Sequence, residues 1–262
     1  MRSSHKITAS LHCLADAAAN IVLTKFRTNI SFDNKCPYHY DPVTCADRDA
    51  EKALFRIIQS QYPDDGFIGE EYGEQNKAAD YVWVVDPIDG TRAFIQGLPT
   101  WGILIGLLYH GQPIAGMMCQ PYTRERFWSD GQKSYFCGPT GYVSTLTTRS
   151  SELTEAQMST TDPYLFKDFR EKVIFETLRR KVRVCRFGSD CYSYSLIAAG
   201  QIDVVLETGL QIYDIAALIP IIEKAGGCVT SWSGEPIHTG GQILACGDPK
   251  LHELIIDLLN AL

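Results

Sequence analysis

The stretch WVVDPIDGT at residues 83–91 constrains this chain more than any other. Its valines favour a buried strand, and Pro87, which has no N–H for a central ladder, predicts that the strand ends near Asp86. Asp86 and Asp89 should then lie close together, where each carboxylate raises the pKa of the other unless a cation neutralises both. The stretch therefore predicts an oxygen-rich cation site of the kind that Mg²⁺ shares among carboxylates, water and phosphate.

Gly90 and Thr91 follow the two aspartates. Glycine lets the backbone approach a ligand closely, and Thr91 is predicted to cap the next turn and leave N–H groups directed at an anion. A metal and a phosphate would then meet at one point. The alternative is an ordinary Asp-Pro turn, because Asp, Pro and Gly are all common turn residues.

Three more acidic segments stand at predicted ends of helices or strands, at 41–47, 66–71 and 213–217. An acid at such an end can reach into a cleft. Each acid taken alone is more often a helix cap or a solvated charge. The argument for a shared site therefore depends on the four segments together.

In this order, the segments resemble those of the inositol monophosphatase-like, Mg²⁺-dependent phosphatases. The resemblance runs from about Asp41 to Gly227. The motifs that carry it are GEE at 69–71, DPIDGT at 86–91, YDIAA at 213–217 and AGG at 225–227.

Within that family, the chain is most similar to the bacterial histidinol-phosphate phosphatase branch. The motifs behind this narrower resemblance are DGTRAFI at 89–95, LPTWG at 98–102, RFGSDCY at 186–192 and LQIYD at 210–214. Plain inositol monophosphatases more often read DGTxNF in the first of these, carry a small residue at the position of Asp190, and have Trp at that of Tyr213.

Helices and strands alternate in the second half of the chain, whereas the first half reads as two helices followed by antiparallel strands. The predicted helices are at 7–26, 46–61, 166–180, 192–199, 213–225 and 249–262, and the main strands at 81–85, 101–109, 113–119, 126–130, 182–186, 202–206 and 244–246. This pattern predicts an α/β or mixed α+β fold. The resemblance implies a layered αβαβα sandwich, and we expect a single domain over 1–262 with subdomains of about 1–145 and 146–262.

The resemblance implies a set of metal ligands, namely the carboxylates of Glu70, Asp86, Asp89 and Asp214 and the backbone carbonyl of Ile88. Glu70 and Thr91 would position and help deprotonate the attacking water, with Asp47 pairing with Thr91 as a base relay. Backbone N–H groups of Gly90 and Thr91 would hold the phosphate. The implied cofactor is Mg²⁺, as two or three ions, for which Mn²⁺ can substitute. We interpret Glu71 as an exposed neighbour of Glu70 and Asp41 as a turn acid.

Three residues are candidates for substrate recognition. Histidinol phosphate carries an amine and an imidazole, so an acid-lined pocket would suit it. The resemblance places Asp190 and Glu207 on the leaving-group side. Arg186 either orients one of these acids or is a surface charge on a strand, and the sequence favours neither alternative.

Several functions stay open at this stage. The first is a histidinol-phosphate phosphatase, and the second an inositol or broad sugar monophosphatase, with Asp190 as the discriminating residue. A nucleotide bisphosphatase is less favoured, because long insertions are missing. A catalytically silent metal-binding protein is disfavoured, because the whole acidic set is retained and unneutralised carboxylates would destabilise the fold.

Composition narrows the partners. A net charge of −7 disfavours nucleic acid, which calls for a basic face. We expect a small-molecule phosphate monoester as the partner, and a bound cation to offset the acidic surface. No signal peptide or membrane-length apolar run is read from the sequence, and nine cysteines without a C-x-x-C pair predict reduced thiols, hence a cytoplasmic protein. The resemblance suggests a homodimer.

Overall fold

The structure, a computed structural model, describes residues 2–29, 32–34 and 42–262. Asp41, interpreted above as a turn acid, lies outside these residues. The helices are α1 (Ser4–Val22), α2 (Cys45–Gln61), α3 (Thr91–Gln96), α4 (Phe169–Lys181), α5 (Asp190–Ala198), α6 (Ile212–Ile215), α7 (Leu218–Glu223) and α8 (Pro249–Asn260). Short 3₁₀ turns occupy Leu153–Glu155 and Pro163–Leu165.

The strands form one small and two large sheets. They are β1 (Phe32–Asn34), β2 (Pro42–Thr44), β3 (Gly66–Gly69), β4 (Gly73–Gln75), β5 (Tyr81–Asp89), β6 (Gly102–Tyr109), β7 (Gln112–Gln120), β8 (Glu125–Ser129), β9 (Ser134–Cys137), β10 (Val143–Thr145), β11 (Gln157–Thr160), β12 (Val184–Phe187), β13 (Val204–Gln211), β14 (Cys228–Ser231) and β15 (Gly240–Cys246). The larger sheet has the order β10-β9-β8-β7-β6-β5-β3-β4, and the second β12-β11-β13-β15-β14. Both are mixed, since β3 runs parallel to β5, and β11 runs parallel to β12 and β13.

The layers follow from which face each helix buries. Helices α1 and α2 cover one face of the larger sheet, with Leu11, Leu54 and Trp83 in the core between them. Helices α5, α6 and α7 fill the space between the two sheets. Helices α4 and α8 cover the far face of the second sheet around Phe166 and Leu251. The predicted αβαβα sandwich of mixed α+β class is confirmed.

Local sequence signals explain where the helices begin. Thr44 and Asp47 form a capping box that starts α2, and Asp168 and Asp248 cap α4 and α8 through their side chains.

The prediction of a single helix over 213–225 is wrong, because the structure has two short helices there, α6 and α7. Pro220 lies in the first turn of α7, where its missing N–H is tolerated, but it cannot continue a helix that begins at α6.

Two close contacts fix the positions of α6 and α7 against the larger sheet. A Cβ at Gly116 would lie 2.2 Å from the backbone oxygen of Ala217, and one at Gly106 would lie 3.1 Å from the carbonyl carbon of Ala216. Only glycine at these strand positions lets the backbone between α6 and α7 approach so closely. The contact brings α6, which carries Asp214, down towards β5.

Among the described residues, we find no helix with the length and apolarity needed to cross a lipid bilayer.

Candidate active site

The two aspartates of the DPID motif lie at a bulge in β5. Asp86 pairs with Leu104 and Asp89 with Gly102, so three steps along β5 match two steps along β6. The strand therefore continues to Asp89, and the expected end near Asp86 is wrong. Pro87 is accommodated because it falls inside the bulge, where no ladder N–H is required.

Three carboxylates meet at this bulge. One oxygen from each of Asp86, Asp89 and Asp214 lies within 4.8 Å of the others. Each is also fixed by a backbone N–H: Asp86 Oδ1 accepts from Ile88 (2.9 Å), Asp89 Oδ2 from Cys191 (2.8 Å) and Asp214 Oδ2 from Gln211 (2.6 Å). The site therefore draws on β5, α5 and α6, elements from both halves of the chain.

Burial and mutual repulsion shape the charge state of this cluster. Burial raises the pKa of Asp86 well above its usual range, and the nearby charges of Glu70 and Asp89 raise it further. Burial likewise raises the pKa of Asp89, reinforced by Asp214 and Asp190. A bound cation would offset this repulsion and favour the ionised form of the carboxylates.

The donors at the cluster fit a hard cation such as Mg²⁺. All three side chains offer carboxylate oxygens, the ligands that Mg²⁺ prefers. The carbonyl of Ile88 accepts a hydrogen bond from Thr91 Oγ1 at 3.2 Å, and a carbonyl oxygen has two lone pairs. Glu70 lies outside the group of three, although its charge acts on Asp86. Its role as a ligand stays a prediction.

The start of α3 differs from the expectation. Gly90, with φ of 83°, is the N-cap residue, and Thr91 is the first helical residue. Thr91 therefore does not cap the helix, and its hydroxyl donates to Ile88 instead. Asp47 accepts hydrogen bonds from the N–H (2.9 Å) and hydroxyl (2.6 Å) of Thr44. The hydrogen bonds that the described residues form do not join Asp47 to Thr91, so the relay stays a prediction.

Next to the carboxylate cluster lies a pocket of about 180 Å³ with acidic walls. Asp190 and Glu207 both line it, as do Asp89 and Asp214. Burial raises the pKa of Asp190 to about 7, with a further contribution from Glu207. The structure therefore brings together the two acids that we expected on the leaving-group side.

Arg186 does not join this pocket. It lies on β12, the edge strand of the second sheet, and its side chain is exposed. No ion pair of Arg186 with Asp190 or Glu207 occurs among the described residues. Of the two alternatives, a surface charge on a strand agrees with this exposure, whereas the orienting role is not supported by a contact among the described residues. Its substrate role stays a prediction.

The expectation that Glu71 is exposed is wrong. Its side chain is only 7% exposed and lies 3.9 Å from Arg48 Nε. The turn after β3 faces α2 rather than solvent, because the carboxylate of Glu51 reaches over from that helix to the backbone of Glu71. Glu71 therefore belongs to the packed surroundings of Glu70.

Other polar residues at the site were missed from the sequence. Tyr194 donates its hydroxyl to Glu207 Oε2 (3.0 Å), and the N–H of Thr161 donates to Glu207 Oε1 (2.7 Å). Both come from segments without a recognisable motif. Glu51 left a signal, because it stands four residues after Asp47 on the buried face of α2, where an apolar residue is expected.

Comparison with known proteins agrees with this geometry. The profile described as "Inositol monophosphatase family" matches residues 4–262. The chain belongs to the inositol monophosphatase family. It is accordingly a phosphoric monoester hydrolase, and its family is generally metal-dependent, which agrees with the acidic cluster.

Individual relatives differ in what their names say they act on. The chain is 40% identical to the bifunctional phosphatase IMPL2, chloroplastic, of Arabidopsis thaliana, over 95% of this chain and 73% of that protein. It is 33% identical to the histidinol-phosphatase of Mycobacterium tuberculosis, over 95% of each. A solved inositol monophosphatase from Zymomonas mobilis superposes with a TM-score of 0.87 at 38% identity, over 99% of this chain and 100% of that one.

The raised pKa values predict how the folding stability of the metal-free protein depends on pH. The pKa is raised to about 6 for Asp47 and to about 7 for both Glu51 and Asp190, from ordinary values near 4. The folded protein holds these protons more tightly than the unfolded chain. The stability that they contribute is therefore complete below about pH 4 and is lost as the pH rises through 6 and 7.

We expect the Tm in EDTA to be higher at about pH 6 than at about pH 8, by about 5 °C or more. Saturating Mg²⁺ should remove most of this difference, because the cation supplies the missing counter-charge. Thermal unfolding followed by circular dichroism measures both conditions. A metal-free Tm that rises between these two pH values would contradict the prediction.

Proposed function

We propose that the protein is a Mg²⁺-dependent phosphomonoesterase that hydrolyses histidinol phosphate to histidinol and phosphate. The observation that carries this proposal is the acidic wall formed by Asp190 and Glu207 beside the carboxylate cluster. A leaving group that bears an amine and an imidazole would be stabilised by carboxylates that line the pocket beside the cluster. The histidinol-phosphatases among the relatives support the same choice.

The cation site would be built from the residues at the bulge. Asp86, Asp89 and Asp214, with the carbonyl of Ile88 and the carboxylate of Glu70, would hold Mg²⁺, for which Mn²⁺ can substitute. Bound divalent ions supply charge neutralisation on the phosphoryl oxygens and a lowered pKa for the attacking water. The three aspartates would hold an ion in a fixed position, because backbone N–H groups orient their side chains.

The remaining roles belong to residues around α3. The N–H groups of Gly90 and Thr91 would hold the phosphate, and Glu70 with Thr91 would orient the attacking water and take its proton. Asp47 would complete the relay if its carboxylate moved from Thr44 to Thr91 when substrate binds. This part of the proposal extends the resemblance, and the hydrogen bond from Thr91 to Ile88 supports it by holding the hydroxyl at the site.

The leaving group would lie against Asp190 and Glu207. Glu207 is 5% exposed and already accepts hydrogen bonds from Thr161 and Tyr194, so it is fixed in place. Burial raises its pKa, and a cationic ligand would reverse this by favouring the charged form. Asp190 packs against Gly90, the residue that follows Asp89, since a Cβ on Gly90 would lie 2.8 Å from its Cγ.

An inositol or broad sugar monophosphatase is the alternative. Thr208 and Tyr194 also line the pocket, and hydroxyl groups are the partners that a neutral polyol needs. The relatives named for inositol phosphate support this reading as well. The homodimer, the two subdomains and the cytoplasmic location stay predictions.

The test compares the two substrates directly. We expect phosphate release from histidinol phosphate to exceed that from inositol 1-phosphate by about 10-fold or more in kcat/KM, because one charge-assisted contact contributes about 1.5–3 kcal/mol. Release of inorganic phosphate is measured with Mg²⁺ for both substrates in parallel, and with EDTA as the metal-free control. A preference for inositol 1-phosphate would keep the phosphatase but replace the substrate, whereas no release from either would remove the proposed activity.

A further inference from the structure

Glu51 is a fully buried carboxylate that the proposed mechanism does not use. It is 0% exposed and lies in the middle of α2, on the face that packs against the larger sheet. Apart from Asp47, the other buried positions of this helix are apolar, including Ala50 and Leu54. Burial of a carboxylate is costly unless hydrogen bonds compensate it, and an apolar residue here would serve packing alone equally well.

The carboxylate of Glu51 accepts hydrogen bonds from the backbone of the turn between β3 and β4. Its Oε2 accepts the N–H of Glu71 and its Oε1 accepts the N–H of Tyr72, each at 2.8 Å. One side chain therefore satisfies two successive backbone donors. Such paired acceptance fixes the position of the chain at this point.

Glu51 also abuts the residue on the other side of Glu70. A Cβ placed on Gly69 would lie 2.0 Å from Glu51 Oε1, so the carboxylate fills the space that any side chain there would need. Gly69 itself is held in the sheet opposite Val85. Glu70 therefore lies between Gly69 and Glu71, and Glu51 contacts the backbone of both neighbours.

One turn before Glu51, the same face of α2 carries a second acid, which lies near the carboxylate cluster. Asp47 precedes Glu51 by four residues, so the two side chains project from the same side of α2. The charges of Asp47 and Glu70 both act on Asp86. Helix α2 therefore carries one acid that binds the turn, Glu51, and one that acts on the carboxylate cluster, Asp47.

We propose that Glu51 is a positioning residue, whose carboxylate fixes the turn so that Glu70 is directed at the bound cation. This inference rests on the proposed function, since it assigns a support to one of the predicted ligands. Residues that orient a metal ligand contribute to affinity without touching the metal, and their removal costs about 10- to 100-fold in metal affinity or activity.

The Glu51→Gln variant tests the proposal. Glutamine keeps the shape but offers only one acceptor oxygen, so it places an NH₂ group against one of the two backbone donors. We expect Mn²⁺ affinity, measured from the free Mn²⁺ signal in electron paramagnetic resonance, to fall about 10-fold or more. Activity should return towards that of the parent at high Mg²⁺, because the catalytic groups remain.

Asp203→Asn is the matched control. Asp203 is also a buried carboxylate that accepts a backbone N–H, from Gln157 at 2.7 Å, but it does not line the active-site pocket. We expect this control to lower the Tm without changing Mn²⁺ affinity. A Glu51→Gln variant that behaves in the same way would overturn the proposal. A parent protein that neither binds Mn²⁺ nor releases phosphate would instead contradict the proposed function.

A second pair of variants keeps the test independent of the amide. In Gly69→Ala, the added methyl group must displace the Glu51 carboxylate, so metal affinity should fall as it does in Glu51→Gln. The methyl group would also lie 2.8 Å from Cε1 of Phe67, so the double variant Gly69→Ala/Glu51→Ala relieves only the contact with Glu51. We expect the loss of Mn²⁺ affinity in the double variant to be smaller than the sum of the losses in Gly69→Ala and Glu51→Ala. Losses that simply add would show that Gly69 does not act through Glu51.

Discussion

Phosphate release by the Asp89→Asn variant should be about 1,000-fold slower than that by the parent at saturating Mg²⁺. Asp89 is one of the three clustered carboxylates, and its replacement removes a negative charge while keeping the side-chain shape. The loss of one group that stabilises charge in a transition state costs about 100- to 1,000-fold, and a lost metal ligand acts on every step that needs the cation.

The same substitution should stabilise the metal-free fold. Burial and the charges of Asp214 and Asp190 oppose ionisation of Asp89, and a neutral amide removes this repulsion. The amide oxygen can still accept the N–H of Cys191. We therefore expect a higher Tm in EDTA than that of the parent, and a smaller increase of Tm when Mg²⁺ is added.

Phosphate release and thermal unfolding are measured on the same preparations, with Asp203→Asn as the control. The control removes a carboxylate that pairs with Arg149 rather than with other acids, so it should lower the Tm in EDTA and leave the rate within about threefold of the parent. An Asp89→Asn rate within tenfold of the parent would place Asp89 outside the cation site.

The DPID motif shows how much a local pattern can predict. The strand, the two adjacent carboxylates and the glycine turn are encoded within 83–91, and the structure has all of them. The continuation of the strand to Asp89 was not predictable, because it depends on a bulge against β6. A proline excludes a regular ladder, but it says nothing about an irregular one.

Asp214 shows what the local pattern omits. It is distant in sequence from Asp86, and it reaches the cluster because Gly106 and Gly116 admit the backbone after α6 to the sheet. No periodicity in the chain encodes that contact. The resemblance to a known family, rather than residue spacing, placed Asp214 at the site.

Glu51 and Glu71 were misjudged or missed for a related reason. Charged residues on a helix or in a turn are expected at the surface, since burial is costly unless partners compensate it. For Glu51 the partners are the backbone N–H groups of Glu71 and Tyr72, and backbone donors leave no mark in the sequence, whereas the Glu71 carboxylate lies near the side chain of Arg48. The pattern of α2 marks Glu51 as unusual, but the groups that compensate its burial become visible only when the fold is known.

The Asp190→Asn variant should lose activity selectively against histidinol phosphate. Asp190 has φ of 43°, a left-handed conformation that Asn tolerates better than Ala, so the amide is the cleaner change. The substitution removes one of the two negative charges that would face a cationic leaving group. We expect kcat/KM for histidinol phosphate to fall about 10- to 100-fold, which corresponds to the loss of a charged hydrogen bond.

Inositol 1-phosphate serves as the internal control for that variant. A neutral polyol has no charge to lose against Asp190, so its kcat/KM should change by less than about threefold. The contrast separates recognition from folding and metal binding, because damage to either of these would slow both substrates equally. Equal losses on the two substrates would mean that Asp190 acts on the cation site through Asp89, to whose pKa it contributes, and not on the leaving group.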